Sequence, residues 1–467
     1  MYRDALDRYF EQHRAQLVQD IRQLISIRSV RSEPQPGLPF GPGPAAALSQ
    51  ALNLAERLGC CATNFDNYVG VVDLNERQTS LGILVHVDVV EEGVGWTFPP
   101  LAGMFHDGRI YGRGATDDKG PTIAALYALA AVKELGVPLR RNARLLIGTD
   151  QEGELADLTH YFTQHTPPPL VFSCDGSFPV VNAEKGGLRA SFSASWPEEK
   201  RLPRIVSVQS GSRINLVPAE ATAVIEGLDI DLVREFCARV GQVTGAVFAV
   251  DAAESEVEIK VQGIGGPAFA PGQGINALTA LLTALAAMPF TDSAGFHRLQ
   301  HVIRVFPHGD HQGRAAGIAM RDDQLGELTI TLSCFEYGPT GLSGLIDSRT
   351  PHLEAPELTV GILGGKLQRH GITLQTLGLL EPHYASPSSD FVRLLLRVYE
   401  DYTGNPGYCL CSGAETYMHS LDGGVCFGCT LPGSEDGRAH GPDEYAQVDD
   451  LILAAKIYAQ VIIDLCL

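Results

Sequence analysis

The placement of the metal-type residues is what most limits the folds open to this chain. His86 and Asp88 lie in its first quarter, Asp117, Glu152 and Asp175 follow at intervals, and His440 comes only near the end. If His440 joins His86 at one site, a middle stretch of different pattern must be an insertion in the first domain. The pattern does change in the middle. Up to about residue 186 it alternates between strands and helices. Residues 1 to about 30 read as an amphipathic helix, with Leu17, Ile21, Leu24 and Ile25 on one stripe. A Pro- and Gly-rich loop, Pro34 to Pro44, precedes a second helix that ends near Gly59. Strands are expected over Tyr68–Leu74, Leu81–Val89, Ala143–Ile147 and Leu170–Ser173. Helices are expected over Pro121–Leu135, stopped by Gly136, and around Ala156–Phe162. This alternation predicts an α/β domain with a largely parallel sheet and flanking helices.

After Gly186-Gly187 strands dominate: Leu188–Ala194, Ile205–Gln209, Ala221–Ile225, Val257–Val261, Glu327–Phe335 and Gly344–Asp347. Helices over Ile275–Ala287 and Leu358–His370 are interspersed. This is an α+β module over 187–387, large enough to be a domain in its own right. From about Ser388 the helical pattern resumes, followed by a strand at Gly424–Thr430 and a long helix at Val448–Leu465. The expected architecture is one α/β domain built from 1–186 and 388–467, interrupted by the α+β module.

Length and charge set the partners. A chain of 467 residues exceeds one core. Its formal net charge of -20 argues against nucleic acid and anionic membranes, which call for a basic face. No apolar run reaches membrane-spanning length. The charged start, Met1 to Asp7, lacks the apolar segment of a signal peptide, and the expected compartment is the cytoplasm. The chain has ten cysteines. Cys409/Cys411 and Cys426/Cys429 resemble ligand pairs, but an apolar run surrounds the second, so buried free thiols are the expectation.

Residues two apart on a strand share a face, so His86 and Asp88 are expected to point the same way, the carboxylate orienting the imidazole. Asp117 comes just before a helix, where backbone dipoles favour an anion, and Asp118 reads as the helix cap. Glu152 and Asp175 each follow an apolar strand, where open α/β sheets place their sites. Any one of these could be a cap or a surface acid. Together they suit two divalent cations about 3.5–4 Å apart, bridged by one carboxylate. Asp117 would be the bridge, His86 and Asp175 would hold one ion, and Glu152 and His440 the other. Zinc fits this mixture of imidazole and carboxylate, as do cobalt and manganese. Gln151 stands where a two-metal hydrolase needs a glutamate base.

These residues resemble the PepV-type dipeptidases of the M20 family of metallopeptidases. The resemblance runs through His86–Val90, Gly112–Gly120, Gly148–Glu152, Asp175 with Phe178-Pro179-Val180, and Glu184-Lys185-Gly186. It continues through Asn215–Pro218, Gly274–Ala277, Arg349 with Thr350-Pro351, and Ala439–Tyr445. It implies a catalytic domain (1–186 and 388–467) split by a lid domain (187–387), dinuclear zinc, and a monomer acting on a small peptide-like substrate. It also implies that Asn215 and Arg349 bind substrate, Arg349 by clamping a carboxylate bidentately.

The sequence departs from that family at three positions. Gln151 replaces the first of two glutamates, and Gln cannot take a proton from water. An engineered trap and natural drift would both leave this residue. Pro267, which has no donor, occupies the position of a lid histidine that stabilises the oxyanion; His297, His301, His308 or His311 could substitute. Glu415 replaces a glycine in a Gly-Gly-Gly-Thr-Tyr run, favouring a cationic substrate group or simply facing solvent. The sequence therefore admits a dipeptidase, an N-acyl-amino-acid amidohydrolase, or a catalytically silent relative that keeps metal and ligand. A scaffolding role gives no reason for the ligand set.

Overall fold

The computed structural model describes residues 2–253, 256–351, 355–435 and 437–467. The chain forms two compact units. The first takes the chain up to Ala183, then Tyr384–Leu410 and Glu415–Leu467; the second takes Glu184–His383 with Cys411–Ala414. The first unit is therefore discontinuous in sequence. Among the described residues no helix is long and apolar enough to cross a membrane.

The sheet of the first unit runs Cys61–Phe65, Val69–Asp73, Asn142–Gly148, Thr79–His86, Leu170–Ser173, Val425–Cys426, Val180–Glu184. The four strands from Asn142–Gly148 to Val425–Cys426 are parallel neighbours, and those flanking them pair antiparallel. Leu81, Ile83, Leu84 and Val85 are all fully buried, as expected of a parallel strand covered on both faces. The helix Lys119–Glu134 is buried from Lys119 to Val132. Its alanines allow close approach on every side, to the helices Arg3–Ile25 and Val448–Cys466 and to the strand Thr79–His86.

Two expected strands are shorter than the pattern suggested. The strand expected over Leu81–Val89 ends at His86. Asp88 leaves the sheet because its carboxylate accepts the amides of Gln151 and Glu152, at 3.2 and 2.9 Å. His86 and Asp88 therefore do not share a strand face. The strand expected over Gly424–Thr430 is confined to Val425–Cys426. Beyond it the chain passes so close to Gly176 that a side chain on Gly428 would collide with its backbone.

The main sheet of the second unit is antiparallel, in the order Val247–Ala253, Glu256–Gln262, Glu220–Glu226, Arg204–Ser210, Thr329–Gly338, Gly341–Thr350, Gly186–Ser195, Thr373–Leu380. Alternation sets its register. Buried Ala221, Ala223 and Ile225 pair with buried Val261, Ile259 and Val257. Helices Ile230–Thr244, Ala277–Ala287, Ala294–Val305 and Ala355–Gln368 belong to the same unit. The first and third of these helices, and the edge strands Val247–Ala253 and Thr373–Leu380, were not anticipated.

Candidate metal centre

Three parallel strands of the first unit end side by side. His86 pairs with Gly148, and Leu84 with Ser173. His86, the turn Thr149–Glu152 and Asp175 thus emerge together at the carboxyl edge of the sheet. The turn is tightly held. Asp157 accepts the amides of Thr149 and Asp150 at 2.6 and 2.9 Å and the Tyr417 hydroxyl at 2.7 Å. Any side chain at Gly148 would collide with that hydroxyl and that carboxylate.

The remaining ligand-type residues converge on the same place. His86 Nε2 lies 3.1 Å from Asp117 Oδ1 and 4.0 Å from Asp175 Oδ2. His440 Nε2 lies 3.0 Å from Asp117 Oδ2 and 2.7 Å from Glu152 Oε1. His86, Asp117 and Asp175 form one group able to hold a metal ion, and Asp117, Glu152 and His440 form a second. Within each group the ligand atoms lie within 4.8 Å of one another. Among the described residues, His86 Nε2 and Asp117 Oδ1 are buried without a hydrogen-bond partner. Such orphaned atoms are costly unless something binds them. Imidazole and carboxylate donors at this spacing fit divalent cations of the zinc type.

The electrostatics point the same way. At His86 burial opposes charge, yet the neighbouring carboxylates of Asp117 and Asp88 outweigh it and hold the imidazole well above its ordinary pKa. At His440 burial again opposes charge, while Asp117 and Glu152 push the pKa up to about 11. Burial would raise Asp117, but the two imidazoles pull it below the usual carboxylate range. Without a cation, protons on the imidazoles balance the carboxylates.

The neighbours of these ligands differ in part from expectation. His86 Nδ1 lies 3.1 Å from the Asp88 carbonyl and 3.3 Å from its carboxylate, so Asp88 does orient the ring. Asp118 makes no cap bond to the helix at Lys119. Its carboxylate instead accepts the His86 amide at 3.0 Å. Gln151 Nε2 donates to Asp175 Oδ2 at 3.1 Å and to the Glu415 carbonyl at 3.4 Å, which puts Gln151 and Glu415 at the edge of the cluster.

Asn215 and Arg349 belong to the second unit. Asn215 is exposed, and its carbonyl accepts the Ala268 amide at 2.9 Å, beside the pairing of Leu216 with Pro267. Arg349 is buried, its Nε and Nη2 bonded to the two oxygens of Asp347 at 2.9 and 3.0 Å. Of the four histidines considered at Pro267, His297 pairs with Asp292, His301 stacks on His370, and His308 bonds Thr279. His311 borders the segment that follows Pro267, its ring lying against Gly272. Cys426 and Cys429 are buried, beside the hydroxyls of Thr416 and Tyr458.

Sequence reasoning gave no role to Asp157, Tyr417, Arg113 or Glu444. The last two stand inside the quoted motifs, and a charged residue in a glycine-rich loop was the available signal. Their effect depends on pairing across more than 300 positions, which sequence spacing does not reveal.

Comparison with known proteins agrees with this geometry. The model of peptidase family M20/M25/M40 matches residues 82–464. A putative dipeptidase of Bacillus subtilis, YtjP, is 35% identical, covering 96% of this chain and 97% of its own. The Beta-Ala-Xaa dipeptidase of Lactobacillus delbrueckii subsp. lactis is 32% identical, covering 96% of each chain. In fold the chain resembles human carnosine dipeptidase 1, with a TM-score of 0.62 at 15% identity, covering 100% of this chain and 99% of the other. Sequence, fold and the twin ligand groups lead to one assignment: the chain belongs to peptidase family M20/M25/M40.

Proposed function

We propose that this chain hydrolyses a dipeptide-like amide bond at a centre of two divalent cations, with zinc the first candidate and cobalt or manganese as alternatives. His86 and Asp175 would hold one ion, Glu152 and His440 the other, and Asp117 would bridge them. The observation that carries this reading is Asp117, whose two oxygens address two different imidazoles at 3.1 and 3.0 Å. Bound there, the ions would acidify a water and polarise the scissile carbonyl. The names of the bacterial relatives support a small peptide substrate; the chain would act on it as a monomer.

The chain's own residues do the rest. Asp88 orients His86 and anchors the backbone of Gln151 and Glu152. Gln151 occupies the base position, where its carboxamide can hold a water or a substrate group but cannot accept a proton. Turnover is therefore expected to be slow. Gln151 equally favours a second reading, a silent family member that binds metal and a peptide-like ligand. An N-acyl amino acid would suit the same site. The Gln151→Glu form, screened for turnover of dipeptides and N-acyl amino acids with added Zn²⁺, Co²⁺ or Mn²⁺, separates these readings.

Metal-free protein should take up about two Zn²⁺ per chain. Uptake near zero in excess zinc would remove the two-cation reading. Because His440 holds its proton to about pH 11 without a cation, uptake at pH 7 should release protons, and affinity should rise with pH. Calorimetry in buffers of differing ionisation heat reads this directly; an enthalpy identical in all of them would contradict it.

Arg349 would read the substrate's terminal carboxylate, with Asn215 near the scissile carbonyl. Asp347 takes the Nε–Nη2 edge of the guanidinium and fixes its plane, so a substrate carboxylate would have to be met by the Nη1–Nη2 edge. Arg349→Lys should raise KM for free-acid dipeptides at least about tenfold and leave their C-terminal amides little changed. Equal losses for acid and amide would make Arg349 structural.

A further inference from the structure

Two residues outside the ligand set tie the Asp117 loop to the His440 loop, and they do so reciprocally. Arg113 precedes Asp117 by four positions, and Glu444 follows His440 by four. Glu444 Oε1 accepts the amides of Thr116 and Asp117 at 3.0 and 3.2 Å. Its Oε2 accepts Arg113 Nη1 at 2.5 Å. Arg113 Nη2 donates to the His440 carbonyl at 3.0 Å and to the Glu91 and Glu92 carbonyls, both at 3.3 Å. The Gly112 amide adds a bond to the Glu444 carbonyl at 2.8 Å. Each side chain thus grips the backbone of the loop that carries the other's ligand.

The pair is an odd choice for stability alone. Its side chains are 1% and 0% exposed, and a buried ion pair gains little over an apolar pair of the same volume. The need for it lies at His440. That residue has φ +65°, uncommon for a side-chain-bearing residue, and its side chain is 43% exposed. Apart from the two carboxylates at its Nε2, the partly exposed imidazole depends on its backbone for its position. By contrast His86 ends a buried strand and Asp175 follows another.

We propose that Arg113 and Glu444 are a positioning pair that sets Asp117 against His440 and so fixes the affinity of the second cation position (Asp117, Glu152, His440). The first position shares Asp117 and so feels Glu444 through it, but its other ligands, His86 and Asp175, are carried by the sheet. This rests on the two-cation reading above. Residues that orient ligands from behind change metal affinity by about 10–100-fold when altered.

The test is a chelator-competition titration of the full-length protein with Zn²⁺ and with Co²⁺, without reference to activity. Wild type should bind two ions. Arg113→Lys should weaken one ion by roughly 10–100-fold and leave the other within about threefold, and Glu444→Gln should weaken that same ion the more, with a smaller loss at the other through Asp117. His440→Ala should lose the same ion, and adding Arg113→Lys to it should cost nothing further. Arg113→Lys keeps the charge and the stem, so it carries the test if Glu444→Gln does not fold. Equal weakening of both ions, or no weakening of either, overturns the positioning role. A wild-type chain that takes up no ion overturns both this role and the two-cation reading.

Discussion

Gln151→Glu should raise kcat at least about 100-fold with little change in KM, in the presence of cations. The amide of residue 151 is already fixed by Asp88, and its side chain already reaches the ligand cluster, so a carboxylate there would inherit a positioned backbone. What it adds is a proton acceptor, which general-base catalysis values at about 10²–10⁴-fold. Gln151 Nε2 now donates to Asp175 Oδ2. A glutamate would place like charges there instead, so the variant should be less stable than its parent when metal-free and recover on adding zinc. Thermal melts with and without Zn²⁺ check that second half. If the unaltered chain already turns over dipeptides at ordinary rates and Gln151→Glu adds nothing, the base lies elsewhere. Glu415, whose carbonyl accepts from Gln151, is then the first residue to replace.

Asp117→Ala should strip both ions and abolish hydrolysis, most clearly on the Gln151→Glu background where turnover is measurable. One residue serves both ligand groups, so one substitution breaks both. A cation's electrostatic contribution of several kcal/mol corresponds to a loss on the order of 10³-fold or more. His440→Ala should instead spare the ion held by His86 and Asp175. Elemental analysis of the two variants distinguishes them. Retention of both ions in Asp117→Ala would mean that Asp117 is no bridge and that the imidazoles are held by other groups.

Much of the fold is legible in short-range pattern. The strand Leu170–Ser173 and the helix Ala156–Phe162 have the expected ends, because apolar periodicity and turn residues act locally. The amphipathic start is a helix as expected, Arg3–Ile25. The edge strand Thr373–Leu380 was missed because half of its apolar residues face outward, as Leu377 and Leu379 do. An edge strand need not alternate cleanly. The pair Asp347 and Arg349 was legible but unread: two residues apart on a strand, they share a face.

What the sequence determined alone is the inventory of chemistry. His86, Asp117, Glu152, Asp175 and His440 are donors of the metal-binding type, and Gln151 is visibly a residue that cannot take a proton. These are properties of side-chain types, and no folding alters them. Only the tertiary structure decided how the residues address one another. It bent Asp88 out of the strand to hold the Gln151 turn, left Asp118 at the helix start but set its carboxylate on the His86 amide, and crossed Arg113 with Glu444 between loops more than 300 positions apart. The reason is physical: hydrogen bonds to buried backbone are satisfied by whatever group the packed chain brings within about 3 Å, and that proximity is a property of the fold.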